Sequence, residues 1–189
     1  MSDVADLAAI EVAINRTYPC LQLFARDVDL SAEQAKKYTT GLVIRERGFT
    51  DATPRLGGMV TTHRFAIMSN HMADLDAILC RQERAPDPEK PNWQLHVAQR
   101  DSHFKVLGQQ QFEDKTLIFL LHLPDDDTWR LLAGVSTNID RDLLADSIAR
   151  MERRLQQPPI PEVTSQQWLE RCQFLLGMSD EGVLFPLED

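Results

Sequence analysis

Residues 103–135, HFKVLGQQQFEDKTLIFLLHLPDDDTWRLLAGV, decide the fold. They read as three antiparallel strands in succession. Phe104 to Phe112 comes first, Glu113 and Asp114 turn the chain, and Lys115 to Leu123 follows. Pro124, Asp125, Asp126 and Asp127 make a second turn, and Trp129 to Val135 returns. In the middle strand, Leu117, Ile118, Phe119, Leu120 and Leu121 are apolar at odd and even positions alike. Successive strand side chains point to opposite faces. A strand apolar on both must be covered on both, so this one belongs at the centre of the core.

Before this meander, Trp93 to Ala98 alternates Trp93, Leu95 and Val97 against Gln94, His96 and Ala98, the pattern of a half-buried strand. Upstream, Pro86, Pro88 and Pro91 alternate with polar residues, so residues 84–91 form a Pro-rich surface loop within one domain of residues 1–189. Asn70 caps a helix from about His71 to Gln82. Gly41 to Thr50 and Met59 to Ser69 read as a pair of strands around the turn-rich residues 51–58, whose Gly57 and Gly58 mark a mobile tip. Ser31 with Gln34 is a capping box for a short helix that stops near Gly41. Ser2 to about Tyr18 is helical, ends before Pro19, and leads into a short strand, Cys20 to Ala25.

After the meander, Leu144, Ile148, Met151 and Leu155 run at helical spacing from Asn138 or Asp140 to about Gln157. Pro158, Pro159 and Pro161 end that helix. Thr164 with Gln167 caps a last one to Leu176, stopped by Gly177. The tail, Val183 to Leu187, is apolar enough to pack on the body or on a partner. The fold class is therefore α+β: a mainly antiparallel sheet with helices packed on it, two of them C-terminal.

The chain has 189 residues and a formal net charge of -9, which disfavours nucleic acid and anionic membranes as partners. That charge suits a basic protein partner, and a homodimer is compatible with the tail and sheet edges. Cys20, Cys80 and Cys172 are scattered, with no CxxC pair, which points to free thiols in a reducing compartment. The N-terminus lacks the basic and long apolar regions of a signal peptide, so a cytoplasmic protein is expected.

Chemistry would have to come from histidines and arginines. His63, His71, His96 and His103 fall near strand ends and turns, and Arg45, Arg47, Arg55 and Arg64 cluster around the first two long strands. Arg45 and Arg47 share a face and could hold an anion beside His63 and His71. No HxxxH or HExxH spacing exists, so neither a metal nor another cofactor is signalled. Ser69-Asn70-His71 sits where a strand meets a helix but lacks a glycine-flanked elbow, and reads as helix capping. Asp125-Asp126-Asp127 lacks the length and glycine of a calcium loop and reads as a solvated turn. Trp93, Trp129 and Trp168 lie on apolar faces as core anchors. With no catalytic signature, the expectation is a non-enzymatic protein-binding module, an inhibitor of the bacterial immunity or antitoxin type. The alternative is a small-molecule-binding domain or enzyme with a His/Arg site on the sheet.

Overall fold

A computed structural model describes residues 2–80, 91–134 and 138–188. The expected Pro-rich loop at 84–91 lies, apart from Pro91, outside the described residues. In chain order the elements are helix α1 (Ser2–Thr17), strand β1 (Gln22–Val28), helix α2 (Ala32–Ala35), strands β2 (Val43–Glu46), β3 (Thr50–Ala52), β4 (His63–Ser69) and β5 (Ala73–Asp74), and helix α3 (Leu75–Cys80). Strands β6 (His96–Ala98), β7 (Ser102–Phe112) and β8 (Lys115–His122) follow. Helices α4 (Trp129–Ala133), α5 (Asn138–Leu155) and α6 (Gln166–Cys172) complete the chain.

The α+β expectation holds. A five-stranded sheet runs β1-β4-β8-β7-β2, and a three-stranded sheet runs β3-β6-β5. Among the described strands every pairing is antiparallel except one: β4 and β8 lie parallel, Met68 opposite Leu121. The doubly apolar strand β8 is interior, as its sequence requires. Leu117, Phe119 and Leu121 face a core closed by Ala13 of α1, Trp129 and Leu132 of α4 and Met151 of α5. Ile118 and Leu120 face a second core with Phe24, Phe65, Phe104, Tyr38 and Leu176.

Two expectations fail here. Trp129–Ala133 is helical, so the meander has two strands rather than three. A third strand would need the free edge of β8, and β4 occupies it. Arg130, Leu131, Leu132 and Ala133 are good helix formers, and Trp129 and Leu132 bury one face at i,i+3 spacing. Nor do residues 41–50 and 59–69 pair with each other. β2 pairs with β7, while β4 lies between β1 and β8. Phe65, Ala66, Ile67 and Met68 are all buried, so β4 also needs cover on both faces, which an edge hairpin cannot give it.

Other boundaries move by one to four residues. Strand β1 runs on to Val28, past the charged pair Arg26 and Asp27. The Ser31/Gln34 capping box is present in both directions. The helix expected from His71 begins at Leu75, with Asp74 Oδ1 accepting from the Ala77 amide at 2.9 Å. Ser165, not Thr164, caps α6. Residues 57–58 are buried rather than a loose tip, because Gly58 pairs with Pro159 and the Gly57 carbonyl accepts from Arg64 at 2.8 Å. The tail packs on the body: Phe185 N donates to Gly177 O at 3.0 Å, and the Arg47 guanidinium lies 5.0 Å from the Phe185 ring centroid. Trp129 and Trp168 are buried core residues, as expected, and Trp93 packs partly buried on Trp168. Among the described residues no helix is long and apolar enough to cross a membrane.

Gly177 sits at φ +74, where a Cβ would come within 2.6 Å of the Ile44 Cβ. Gly177→Ala therefore adds left-handed strain to an overpacked contact. It is expected to cost about 2–4 kcal/mol, read as a lowered urea midpoint with unchanged slope.

Candidate active site at the ends of two parallel strands

Because β4 and β8 run parallel, their carboxyl ends leave the sheet side by side. Continuing the register one step beyond Met68 and Leu121 sets Ser69 beside His122. The Ser69 Oγ lies 2.8 Å from His122 Nδ1 and accepts from the His71 amide at 3.2 Å. Past the strand ends, His71 and Asp125 converge on the same point. Ligand atoms of His71, His122 and Asp125 all lie within 4.8 Å of one another. Ligand crevices of sheets with parallel strands form outside such carboxyl ends.

His122 is locked in place. Its side chain is 0% exposed and stacks between His71 (centroids 3.9 Å) and Phe104 (4.7 Å). Its Nε2 is buried without a hydrogen-bond partner and lies 3.6 Å from Asp125 Oδ1, beyond hydrogen-bond reach. His71 Nε2 lies 3.8 Å from Asp125 Oδ2. Its Nδ1 sits 2.8 Å from Asn70 Oδ1. The Asn70 amide nitrogen donates to Arg16 O at 2.7 Å and Pro19 O at 3.2 Å, so its oxygen must face His71. An amide oxygen only accepts, so Nδ1 of His71 carries the proton and Nε2 of the neutral ring presents a lone pair. The Ser102 hydroxyl reaches Asp125 Oδ1 at 3.2 Å.

A cavity of about 470 Å³ opens onto this cluster, lined by Arg16, Thr17, Asn70, His71, Asp125 and Asp126. Its size suits a small ligand. The acidic turn is not simply solvated. Asp125 belongs to the cluster, Asp126 pairs with Arg16 at 2.7 Å, and Asp127 pairs with Arg130 at 2.6 Å.

Electrostatics follow from burial. Desolvation, then the neighbouring His122, pulls the His71 pKa down to about 4, against the pull of Asp125 and the Leu123 carbonyl. Burial raises the Asp125 pKa, but His122, His71 and Ser102 together hold it below the usual carboxylate range. Burial also lowers His63 and His103. The unfolded chain then binds protons that these rings refuse when folded, between their ordinary 6.5 and, for His71, about 4. Stability is therefore full above about pH 6.5 and is lost as pH falls toward 4. Urea midpoints taken from pH 4.5 to 7.5 in the presence of a chelator should fall on acidification. His71→Gln should flatten that dependence.

Of the six residues singled out from sequence, only His71 joins this site. Arg45 pairs with Asp101 through Nη2 at 2.8 Å, and Arg47 covers Phe185. His63 lies at the opposite end of β4, its Nδ1 2.8 Å from Thr62 Oγ1. His96 Nδ1 sits 2.9 Å from the carbonyl of Gln94, two residues back, and the ring packs on Phe24. His103 stacks on Trp129 at 4.0 Å, with Nε2 on Leu187 O at 3.1 Å. In sequence His122 is weighed only as one of five histidines and Asp125 reads as part of a solvated turn, so neither is singled out for the site. One signal was present: a histidine in an otherwise apolar central strand must be buried, and a buried polar group needs a partner. Ser69 was seen as a cap. It is a positioning residue, since at 0% exposure its hydroxyl cannot meet a substrate.

No protein-family model matches the sequence, and no curated protein matches it. Among solved structures, the type III effector XopAI from Xanthomonas axonopodis pv. citri aligns at 13% identity and TM-score 0.44, over 58% of this chain and 44% of that one. The ADP-ribosyltransferase HopU1 of Pseudomonas syringae pv. Tomato DC3000 aligns at 16% and 0.44, over 55% and 45%. Plx2a, an ADP-ribosyltransferase toxin from Paenibacillus larvae, aligns at 12% and 0.43, over 65% and 71%. The chain thus spans less than half the length of XopAI and HopU1. The expectation of an inhibitor or immunity protein finds no counterpart among these three neighbours, which are named as an effector, a transferase and a toxin. At such scores the likeness assigns this chain no activity of its own.

Proposed function

We propose that this chain is an enzyme acting on a small polar molecule, with its active centre in the cavity at the carboxyl ends of β4 and β8. One observation carries the reading. Two imidazoles and a carboxylate from two segments of the chain converge at the mouth of a ligand-sized cavity, and a buried imidazole nitrogen among them lacks a hydrogen-bond partner. Folded proteins leave few buried polar atoms unsatisfied, and a catalytic role or a bound ion or water is among the reasons for those they leave. His71 and Asp125 line the cavity and would touch the substrate, with Arg16 and Asn70 beside them. His122 stands behind them, held by Ser69 and Phe104. The reaction class this set suits is hydrolysis or group transfer, in which a polar bond is broken between a nitrogen base and a carboxylate.

The test is a metabolite screen by saturation-transfer NMR and thermal shift on wild type, His71→Ala and Asp125→Ala. Compounds that bind wild type and lose at least tenfold in affinity in both variants support the reading, and turnover is then sought among them. If no compound binds, or binders ignore both substitutions, the cavity is not the active centre.

A further inference from the structure

The rings of His71 and His122 each direct a nitrogen at one carboxylate. His71 donates its Nδ1–H to Asn70 Oδ1, which leaves Nε2 as the ring nitrogen that faces Asp125 Oδ2 at 3.8 Å. The Ser69 hydroxyl accepts from the His71 amide; in the His122 tautomer where it also accepts from Nδ1, His122 Nε2 carries no proton and faces Asp125. Lone pairs facing a carboxylate repel unless a positive centre lies between them. From this juxtaposition we infer that His71 Nε2, His122 Nε2 and Asp125 hold a divalent transition-metal cation of the zinc type. The inference rests on the cavity being the active centre and names the cofactor that would work there.

The donor set selects the class of ion. Two imidazoles and one carboxylate suit zinc, cobalt, nickel or iron, whereas magnesium and calcium prefer oxygen throughout. Tetrahedral zinc with bonds of about 2.0–2.1 Å sets its ligand atoms about 3.3 Å apart. The nitrogen-to-carboxylate distances here are 3.6 Å to Asp125 Oδ1 and 3.8 Å to Oδ2, and all the ligand atoms lie within 4.8 Å of one another, so binding must draw the three side chains inward. The supporting contacts are those a metal centre uses: the distal nitrogens meet Asn70 Oδ1 and Ser69 Oγ, both at 2.8 Å, which fixes the rings. Three protein ligands leave a fourth position open toward the cavity, the pattern of catalytic rather than structural zinc. When bound, such an ion supplies a Lewis acid or an activated water.

The full chain, stripped with a chelator, would be titrated with zinc chloride by calorimetry and with cobalt(II) by visible absorption. One cation per chain with tetrahedral or five-coordinate cobalt bands is expected. His71→Ala and Asp125→Ala should each weaken binding by 100-fold or more, and Asn70→Ala by about 10–100-fold. His63→Ala, a histidine at the far end of β4, should bind as wild type does. His71 and Asp125 are partly exposed, so these variants should fold, which circular dichroism would verify; His122→Ala is a secondary variant. Absence of saturable binding overturns the inference, as does binding that survives both His71→Ala and Asp125→Ala. If the metal binds but the metabolite screen finds no ligand, the cation stands and the enzyme reading falls. If a ligand binds the metal-free chain at His71 and Asp125 and zinc does not, the reverse holds.

Discussion

Asp27→Ala is expected to lower the unfolding free energy by about 3–5 kcal/mol, the range for removing one partner of a buried ion pair. Asp27 and Arg64 sit opposite each other on β1 and β4. Arg64 Nε and Nη2 donate to the two Asp27 oxygens at 2.5 and 2.8 Å, with side chains 2% and 4% exposed. The third Arg64 contact, Nη1 to Gly57 O, anchors the buried 57–58 turn. Without the carboxylate, the guanidinium keeps its charge in a place water does not reach. Arg64→Met alone should cost a similar amount by stranding the carboxylate. Asp27→Leu combined with Arg64→Met should recover much of the loss, because two apolar chains of similar volume carry no desolvation penalty. Urea denaturation of the wild type, Asp27→Leu, Arg64→Met and the double substitution closes the cycle. If the double substitution costs the sum of the singles, the pair is not acting as a unit.

The second large effect is expected at Asp140. This residue opens α5 and faces β7, where Lys105 Nζ donates to its Oδ2 at 2.9 Å and Tyr18 donates to its Oδ1 at 2.7 Å. Lys105 also donates to Leu132 O at 3.1 Å, so the network ties α1, α4, α5 and the sheet together. Asp140→Ala leaves an ammonium buried without its carboxylate and should cost about 3–5 kcal/mol. Asp140→Asn keeps an acceptor and should cost less. Tyr18→Phe removes one neutral donor to a charged acceptor, about 1.5–3 kcal/mol. Thermal melts that rank these variants Ala, then Asn and Phe, in decreasing loss would confirm that charge, not packing, holds this corner. Equal losses for Ala and Asn would refute it.

Both pairs expose a limit of pattern reading. Arg26 and Asp27 look like the end of a strand, because charges are usually exposed, yet β1 continues through them. Their burial depends on partners 25 or more residues away in sequence, which periodicity does not register. The acidic turn was misjudged for the same reason. Asp125 reads as a surface residue until His71 and His122 are brought beside it.

Much of the fold was local and therefore legible. The Ser31/Gln34 capping box, the stripe from Leu144 to Leu155, the two-faced burial of β8 and the proline stops all follow from forces acting within a few residues. These features place a central strand, the long helices and the α+β class from the amino acids alone. Strand order is different in kind. Whether β8 pairs on its second edge with 129–135 or with β4 is decided by which segment buries more apolar surface there, and β4, apolar on both faces, wins. That single parallel pairing carries Ser69 and His71 to the end of β8 and brings His122 and Asp125 to meet them. Residues 51 to 54 positions apart come together there, so no spacing rule could have linked them, and the site exists only in the folded chain.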